Sequence, residues 1–294
     1  MRMADPLADQ VINESELLAA LLPLQGAAVL ELGCGKAEKT RFVAQHAAAV
    51  HALEVDEIQL AKNLEIADLP NVRFERGGAE AIPAADRSSD IVLMFKSLHH
   101  VPVGLMDDAF VEIFRVLRPG GLAWISEPVY AGDFNDILRL FHDEQAVREA
   151  AYAAVQRAVA SGNFTLEAQH FFLQPMHFEN FDRFAQQVIG VTHTEHRLSP
   201  ELLGQVRASF ERHMGRDGAH FLMPIRVDLL RREQLRPFPQ FRPCGQQRLA
   251  LFGEFPPRDG FAGVEKMLCR HQRVQHTGIV ARPYPNYVLF HNSI

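Results

Sequence analysis

The sequence predicts an α/β fold, in which helices cover both faces of a Rossmann-like, seven-stranded, mostly parallel sheet. Short apolar runs alternate with segments of helical periodicity between residues 14 and 128. Such alternation is typical of parallel sheets built from strand–helix–strand units. The first apolar run also ends in a glycine turn, Gly33-Cys34-Gly35, immediately before a helical segment. Doubly wound sheets bind their ligands at this kind of turn.

Five strands and four helices are predicted in the first half of the chain. The apolar runs predict strands at 27–32, 48–55, 71–75, 90–95 and 122–126, and the periodic segments predict helices at 14–22, 37–47, 57–66 and 104–117. Asp56 precedes the third helix, and we expect its side chain to cap that helix. Pro119-Gly120-Gly121 ends the fourth helix before the fifth strand.

The pattern changes after Glu127-Pro128. Residues 134–160 are rich in Ala, Leu, Arg and Glu and predict helix, whereas the aromatic-rich stretch 163–184 allows no clear assignment. Loops of this length without secondary structure are uncommon. We therefore expect a helical insertion at about residues 131–186, between the fifth and sixth strands.

The last two strands are predicted at 188–194 and 220–230. Between them, Ser199-Pro200 predicts the start of a helix, because serine suits the N-cap and proline the first helical position. These elements complete one domain over residues 1–232.

Residues 233–294 are predicted to form a separate, basic and proline-rich extension that is poorly ordered. Residues 231–294 carry 10 Lys and Arg against 4 Asp and Glu, whereas residues 1–230 carry 20 against 32. The same C-terminal stretch contains seven prolines and no helical pattern of useful length. A short strand is predicted near 287–290.

Composition limits the classes of partner and the compartment. The formal net charge of −6 does not favour a nucleic-acid partner. Three cysteines at irregular spacing fit neither a disulfide framework nor a metal knuckle, so we expect a reducing compartment. No signal peptide and no membrane span are predicted, and the chain is interpreted as cytoplasmic. The oligomeric state is left open.

The glycine turn and the second strand together predict a nucleotide-type ligand. Glycine lets the backbone approach a ligand closely, and the helix that follows offers free N–H groups. Glu54 ends the second strand 21 residues after Gly33, a spacing at which an acidic residue accepts hydrogen bonds from ribose hydroxyls. Asp56 competes for this role but is better placed as the helix cap.

The ligand is not expected to be NAD. The dinucleotide fingerprint requires a third glycine where Glu38 stands, and a pyrophosphate would meet that carboxylate. An amino-acid group suits the turn better, because its ammonium can pair with Glu31 while its carboxylate accepts N–H groups.

The motifs VLELGCG, LEVD, GGAEAIPAADRSSDIV, SLHHV and EIFRVLRPGGLAWISEP occur in this order over residues 27–128. In this respect the chain resembles class I S-adenosylmethionine-dependent methyltransferases, and among them the ubiquinone/menaquinone-biosynthesis-like small-molecule group. The resemblance implies S-adenosylmethionine as cofactor and a small-molecule methyl acceptor. It does not identify the acceptor.

The resemblance also implies positions for the cofactor. Its methionine part would lie against Gly33, Cys34 and Gly35, with Glu31 near the ammonium and Glu54 on the ribose. Ala79 and Glu80 would flank the adenine, and Met94 and Phe95 would lie beside the sulfonium. Val55 is a further expected cofactor-binding residue. The sequence departs from the family at Ala37, where a third glycine is common, and at Gly78, where an aspartate is common.

His100 and Glu127 are the candidate catalytic residues, needed only if the acceptor must lose a proton. The alternative for His100 is a packing or capping role, and for Glu127 a strand-end turn. No metal site is expected, because His193 and His196 would point to opposite faces of a strand. The phenylalanines of residues 164–184 are expected to be core, with an apolar acceptor pocket as the alternative.

Two further functions stay open at the level of sequence. One is an S-adenosylmethionine-binding protein without transferase activity, acting as a regulator or partner subunit. The other is a methyltransferase that acts on protein or RNA.

Overall fold

The computed structural model describes residues 1–191, 194 and 196–233. Within these residues the strands are β1 Ala28–Leu32, β2 Ala49–Glu54, β3 Val72–Arg76, β4 Ser89–Phe95, β5 Leu117–Pro128, β6 Phe164–Phe178 and β7 Ala219–Arg232. They form one sheet in the order β3-β2-β1-β4-β5-β7-β6. β7 runs antiparallel to both of its neighbours, and the pairs among β1–β5 are parallel. The Rossmann-like fold predicted from the sequence is confirmed.

The helices of the described residues cover both faces of this sheet. They are α1 Glu14–Leu21, α2 Glu38–Ala44, α3 Glu57–Leu64, α4 Met106–Val116, α5 Asp133–Leu138, α6 Gln145–Ala160, α7 Phe181–Phe184 and α8 Pro200–Glu211. One core cluster includes side chains of α1, α2, α5, α7 and α8, and the other includes side chains of α4 and α6. The central strands are buried from both sides, which explains why their sequences are continuous apolar runs.

The helix starts follow the predicted chemistry. Asp56 Oδ1 accepts hydrogen bonds from the N–H groups of Ile58 and Gln59 at the start of α3. Ser199 Oγ accepts from Leu202 N–H, and Pro200 is the first residue of α8. Both caps satisfy N–H groups that have no partner within the helix.

The prediction of the sixth strand was wrong. Residues 185–189 form a single π-helical turn, and the sixth strand is Phe164–Phe178. The cause is the number of aromatic and polar residues in this edge strand, which hides the alternation of a half-buried strand. The strand is long and pairs with β7 along its length, from Phe164 opposite Arg232 to Phe178 opposite Ala219.

The helical segment between β5 and β6 is therefore shorter than predicted. It consists of α5 and α6, whereas α7, the π-helical turn and α8 lie between β6 and β7. Five of the six phenylalanines of residues 164–184 are core, since Phe164, Phe172, Phe178, Phe181 and Phe184 are buried, whereas Phe171 is half-buried. Phe178 and Phe184 contact Phe134 and Phe210.

None of the helices in the described part of the chain combines the length and the apolar character that crossing a bilayer requires. The predicted basic extension, with its short strand near 287–290, lies outside the described residues except for Glu233. The domain boundary at 232/233 and the cytoplasmic location stay predictions.

Replacing Phe172 by alanine tests the position of β6. Phe172 is fully buried, so Phe172→Ala is expected to lower the free energy of unfolding by about 3–5 kcal/mol. Val111→Ala, at an exposed position of α4, is the control and should change it by no more than about 0.5 kcal/mol. Urea denaturation measures both, and equal effects would contradict the placement of residues 164–178 in the sheet.

Candidate functional site

The turn between β1 and α2 has an unusual backbone. Gly33, Gly35 and Ala37 all have positive φ values, of 74°, 50° and 62°. Such values cost little for glycine, but about 1–2 kcal/mol for a residue with a Cβ. Ala37 thus adopts the left-handed conformation although it carries a Cβ. Strained backbone of this kind is concentrated at ligand sites.

The two glycines of the turn are required for different reasons. A Cβ on Gly33 would lie 2.8 Å from the Cβ of Ser97, which follows β4. A Cβ on Gly35 would meet no atom within 4 Å. Gly33 therefore allows β1 and the end of β4 to approach each other, and only Gly35 faces open space. From the sequence, both glycines were predicted to let the backbone approach a ligand, and the packing role of Gly33 was not predicted.

Glu54 lies against the glycine turn, as its spacing predicts. Its Oε2 accepts a hydrogen bond from Gly35 N–H at 2.8 Å, and its Oε1 accepts from Val55 N–H at 2.8 Å and Asp56 N–H at 2.9 Å. A carboxylate offers about four acceptor positions, so one position remains for a further donor. The carboxylate joins the end of β2 to the turn and fixes both.

Glu31 is the second carboxylate at this edge of the sheet. It is buried in β1, and its Oε2 has no hydrogen-bond partner within the described residues. Burial raises the pKa of Glu31 to about 7, and the Thr40 hydroxyl and the charge of Lys39 only partly oppose this shift. A buried carboxyl oxygen without a hydrogen-bond partner can bind a cationic group.

Asn63 stabilises the glycine turn through hydrogen bonds, and the sequence did not predict this role. Asn63 lies in α3 and is buried, and its Nδ2 donates to Gly35 O at 2.8 Å and to Cys34 Sγ at 3.4 Å. Burial raises the pKa of the Cys34 thiol, with Glu31 as a further cause. Cys34 is therefore a neutral packing residue of the turn rather than a reactive thiolate. An asparagine inside a helix gives no sequence signal for this role.

The residues predicted to flank the adenine follow the end of β3, and Val55 follows the end of the neighbouring strand β2. Ala79 is buried, and an antiparallel bridge joins Gly78 to Ala81. The Glu80 carboxylate covers Gly78 so closely that a Cβ there would lie 2.5 Å from its oxygens. Val55 is 59% exposed beside Glu54. Glycine at position 78 thus makes room for Glu80.

Met94 and Phe95 end β4, and Lys96 follows them. Met94 is buried and Phe95 is half-buried. Lys96 has φ 54°, and burial lowers the pKa of its ammonium group. Its Nζ lies 3.8 Å from Glu14 Oε2, and Lys39 Nζ lies 3.5 Å from the same oxygen.

Glu14, at the start of α1, was also missed by sequence reasoning. Its side chain is fully buried between the two lysines, and Trp124 Nε1–H donates to its Oε1 at 3.4 Å. These contacts anchor α1 at the carboxyl end of β4. Helical periodicity gave no reason to expect a charged residue of α1 in the interior.

His99, rather than His100, is the partner of Glu127. His99 Nδ1 lies 2.5 Å from Glu127 Oε2, and Leu98 N–H donates to Glu127 Oε1 at 2.9 Å. Burial alone would lower the pKa of His99 and raise that of Glu127, but their mutual attraction reverses both shifts. The pair is therefore a buried ion pair. His100 is exposed, and its ring centroid lies 4.1 Å from that of His99.

A second carboxylate, Glu144, lies on the other side of His99. Its Oε1 is 3.6 Å from His99 Nε2 and 3.1 Å from His142 Nε2, and its Oε2 accepts from Arg148 at 2.5 Å. Burial acts to raise the pKa of Glu144, but the hydrogen bond with His142 and the charges of His99 and Arg148 lower it to about 2. The network connects the start of α6 to the ends of β4 and β5.

Residues 29–121 match a family model described as a methyltransferase domain. This segment of the chain is therefore similar to methyltransferase domains, in agreement with the resemblance found in the sequence motifs. S-adenosylmethionine is the methyl donor that this family implies. The matched segment contains the glycine turn, Glu54 and the His99 and His100 pair.

Relatives support the same family. A Mycolicibacterium smegmatis protein named a probable S-adenosylmethionine-dependent methyltransferase is 39% identical over 147 residues, 48% of this chain and 53% of that protein. Phthiotriol/phenolphthiotriol dimycocerosates methyltransferase 1 of Mycobacterium ulcerans is 32% identical over 112 residues, 37% of this chain and 41% of that protein. The chain thus matches about half the length of these curated relatives, or less.

The fold is similar to that of solved structures. The YcgJ protein from Bacillus subtilis has a TM-score of 0.56 and 16% identity, over 75% of this chain and 98% of that one. At this level of identity the likeness concerns the fold alone.

Glu31→Gln tests whether burial raises the pKa of the Glu31 carboxyl group. Folded Glu31 keeps its proton up to a pKa of about 7, whereas the unfolded group loses it near 4.5. The stabilising contribution of Glu31 is therefore present below pH 4.5 and is lost as the pH rises through 7. The wild type should lose about 3 kcal/mol more unfolding free energy than the variant across this range. Parallel stability curves of the two proteins in urea would contradict the assignment.

Proposed function

We propose that this protein transfers a methyl group from S-adenosylmethionine to a small-molecule acceptor. The observation that carries the proposal is the contact between Glu54 and Gly35 N–H, which places an acid at the end of β2 beside the one turn glycine that faces open space. The match of residues 29–121 to a methyltransferase domain supports methyl transfer as the reaction. Membership of the ubiquinone/menaquinone-biosynthesis-like group belongs to the same proposal.

The cofactor would lie across the carboxyl ends of β1, β2 and β4. Its methionine part passes Gly35, and its ammonium pairs with Glu31, whose buried Oε2 has no other partner among the described residues. The ribose takes the remaining acceptor position of Glu54. Gly33 and Cys34 support this path from behind, because they pack against β4 and α3.

The adenine would lie on the exposed side of Val55, bordered by Ala79 and Glu80. Val55 presents an apolar surface next to Glu54, and stacking on such a surface needs no hydrogen bond. Glu80 can accept from the adenine amino group in place of the absent aspartate. Met94 and Phe95 border the sulfonium from the end of β4.

Catalysis would depend mainly on alignment and on exclusion of water, because the methyl group already carries an excellent leaving group. His100 is exposed beside the end of β4 and is the proposed proton acceptor for an acceptor hydroxyl or amine. Glu127 is proposed as a positioning residue, since its carboxylate holds His99 against His100.

Gly35→Val tests the position of the cofactor. Valine would occupy the open space in front of the turn, so the affinity for S-adenosylhomocysteine should fall by at least about 100-fold, or roughly 3 kcal/mol. Isothermal titration calorimetry measures the loss.

Gly26→Val is the matched control. Gly26 has φ 73° and open space around its Cβ position, as Gly35 does, but it precedes the amino end of β1. Both variants therefore carry the same backbone strain, and only Gly35→Val should lose the ligand. Equal affinity of the two variants would refute the proposed cofactor path.

Methyl transfer itself is tested with labelled S-adenosylmethionine and a cell extract. Label in low-molecular-weight metabolites supports a small-molecule acceptor. Label in protein or RNA would show that the acceptor is a macromolecule. Tight binding of S-adenosylmethionine without transfer of label would favour a regulator or partner subunit.

A further inference from the structure

A group of metal-ligating side chains lies beside the proposed cofactor path. His99, His100 and Glu144 each offer one ligand atom, and these atoms lie within 4.8 Å of one another. His99 and Glu144 are buried, and His100 is exposed. The three residues come from the turn after β4 and from the residue before α6, so their sequence spacing gives no sign of the group.

The two buried members are held by outer partners that leave one ligand atom available. The Nδ1 of His99 is occupied by Glu127 at 2.5 Å, so its Nε2 faces Glu144 Oε1 at 3.6 Å. Arg148 occupies Glu144 Oε2 at 2.5 Å, so Oε1 is the oxygen that faces the histidines. Metal-binding imidazoles characteristically donate their other N–H to a carboxylate, and metal-binding carboxylates are themselves hydrogen-bonded.

We propose that His99, His100 and Glu144 bind a divalent transition-metal ion of the Zn²⁺ type. Two imidazole nitrogens and one carboxylate oxygen are ligands that Zn²⁺ accepts, and three protein ligands leave a coordination position open. His142 Nε2, 3.1 Å from Glu144 Oε1, occupies one lone pair of this oxygen and leaves the other for the ion. Binding displaces the proton from His99 Nε2, and Glu127 then stabilises the bound imidazole.

The open position lies on the exposed side, next to His100. If the proposed methyl transfer holds, an acceptor hydroxyl that binds there loses its proton to solvent more readily, because the ion lowers its pKa. In the metal-loaded protein His100 would be a ligand of the ion and solvent would take the proton, whereas in the metal-free protein His100 is the proposed proton acceptor. The metal site itself does not depend on the transferase activity.

The competing explanation is an ion-pair network alone, in which an imidazolium of His99 lies between Glu127 and Glu144. Such a network satisfies the buried charges without an ion. It predicts no specific affinity for Zn²⁺, so metal binding distinguishes the two.

The test uses the full chain, stripped of metal with a chelator and titrated with Zn²⁺ in competition with a fluorescent chelator. Co²⁺ absorption reports ligand type, because thiolate ligands give charge-transfer bands that histidine and carboxylate ligands do not. This matters because residues 234–294 contain two cysteines and three histidines. We expect one Zn²⁺ bound in competition and a Co²⁺ spectrum without thiolate bands.

Two variants locate the site. His100→Gln changes an exposed residue and should weaken Zn²⁺ binding at least about tenfold, and Glu127→Gln should weaken it roughly 10–100-fold through the loss of an outer partner. The control is the double variant His177→Gln/His220→Gln, which removes an exposed histidine pair with ring centroids 4.6 Å apart on β6 and β7. Its affinity should equal that of the wild type.

No specific Zn²⁺ binding, or binding that only the control variant loses, would overturn the proposal. Unchanged affinity in both His100→Gln and Glu127→Gln would do the same. The affinity for S-adenosylhomocysteine is measured on the same samples. Binding of this compound without Zn²⁺ binding would contradict the metal site alone, whereas absence of its binding would contradict the proposed function.

Discussion

The hydrogen bond from Gly35 N–H to the Glu54 carboxylate links the two strand ends on which the candidate site depends. The turn after β1 and the end of β2 are separate in sequence, and parallel pairing of β1 with β2 brings them to the same edge of the sheet. Glu54 then accepts three backbone N–H groups and fixes the turn. Asn63 holds the opposite side of Gly35 through its carbonyl group. Together they hold the strained backbone of the turn in place.

Buried carboxylates at this edge differ in their partners, and their partners determine what each can do. Glu54 is satisfied by backbone N–H groups, and Glu127 and Glu144 by histidine and arginine. Glu31 alone combines complete burial with an unpartnered oxygen and a pKa raised to about 7. It is therefore the carboxyl group most able to respond to an ammonium, and binding of one would release a proton from it.

Sequence predicted the part of the site that depends on local pattern. The strand–turn–helix unit at Gly33–Gly35 and the acid at Glu54 follow from spacing, and the Asp56 and Ser199 caps follow from residue type. It did not predict β6, because this edge strand mixes aromatic and polar residues instead of alternating them. It also did not predict Glu14, Asn63 or the Glu144 network, because these side chains meet the site only through the packing of α1, α3 and α6. It proposed His100 as a catalytic residue but did not predict that His99 pairs with Glu127, because only the turn after β4 determines which of two adjacent histidines faces inward.

The most direct measurement is a crystal structure of this chain with S-adenosylhomocysteine bound. The account predicts the ribose hydroxyls on Glu54, the ammonium within hydrogen-bonding distance of Glu31, and the amino-acid backbone passing Gly35. A ligand bound elsewhere on the sheet, or one that leaves both carboxylates uncontacted, would contradict it.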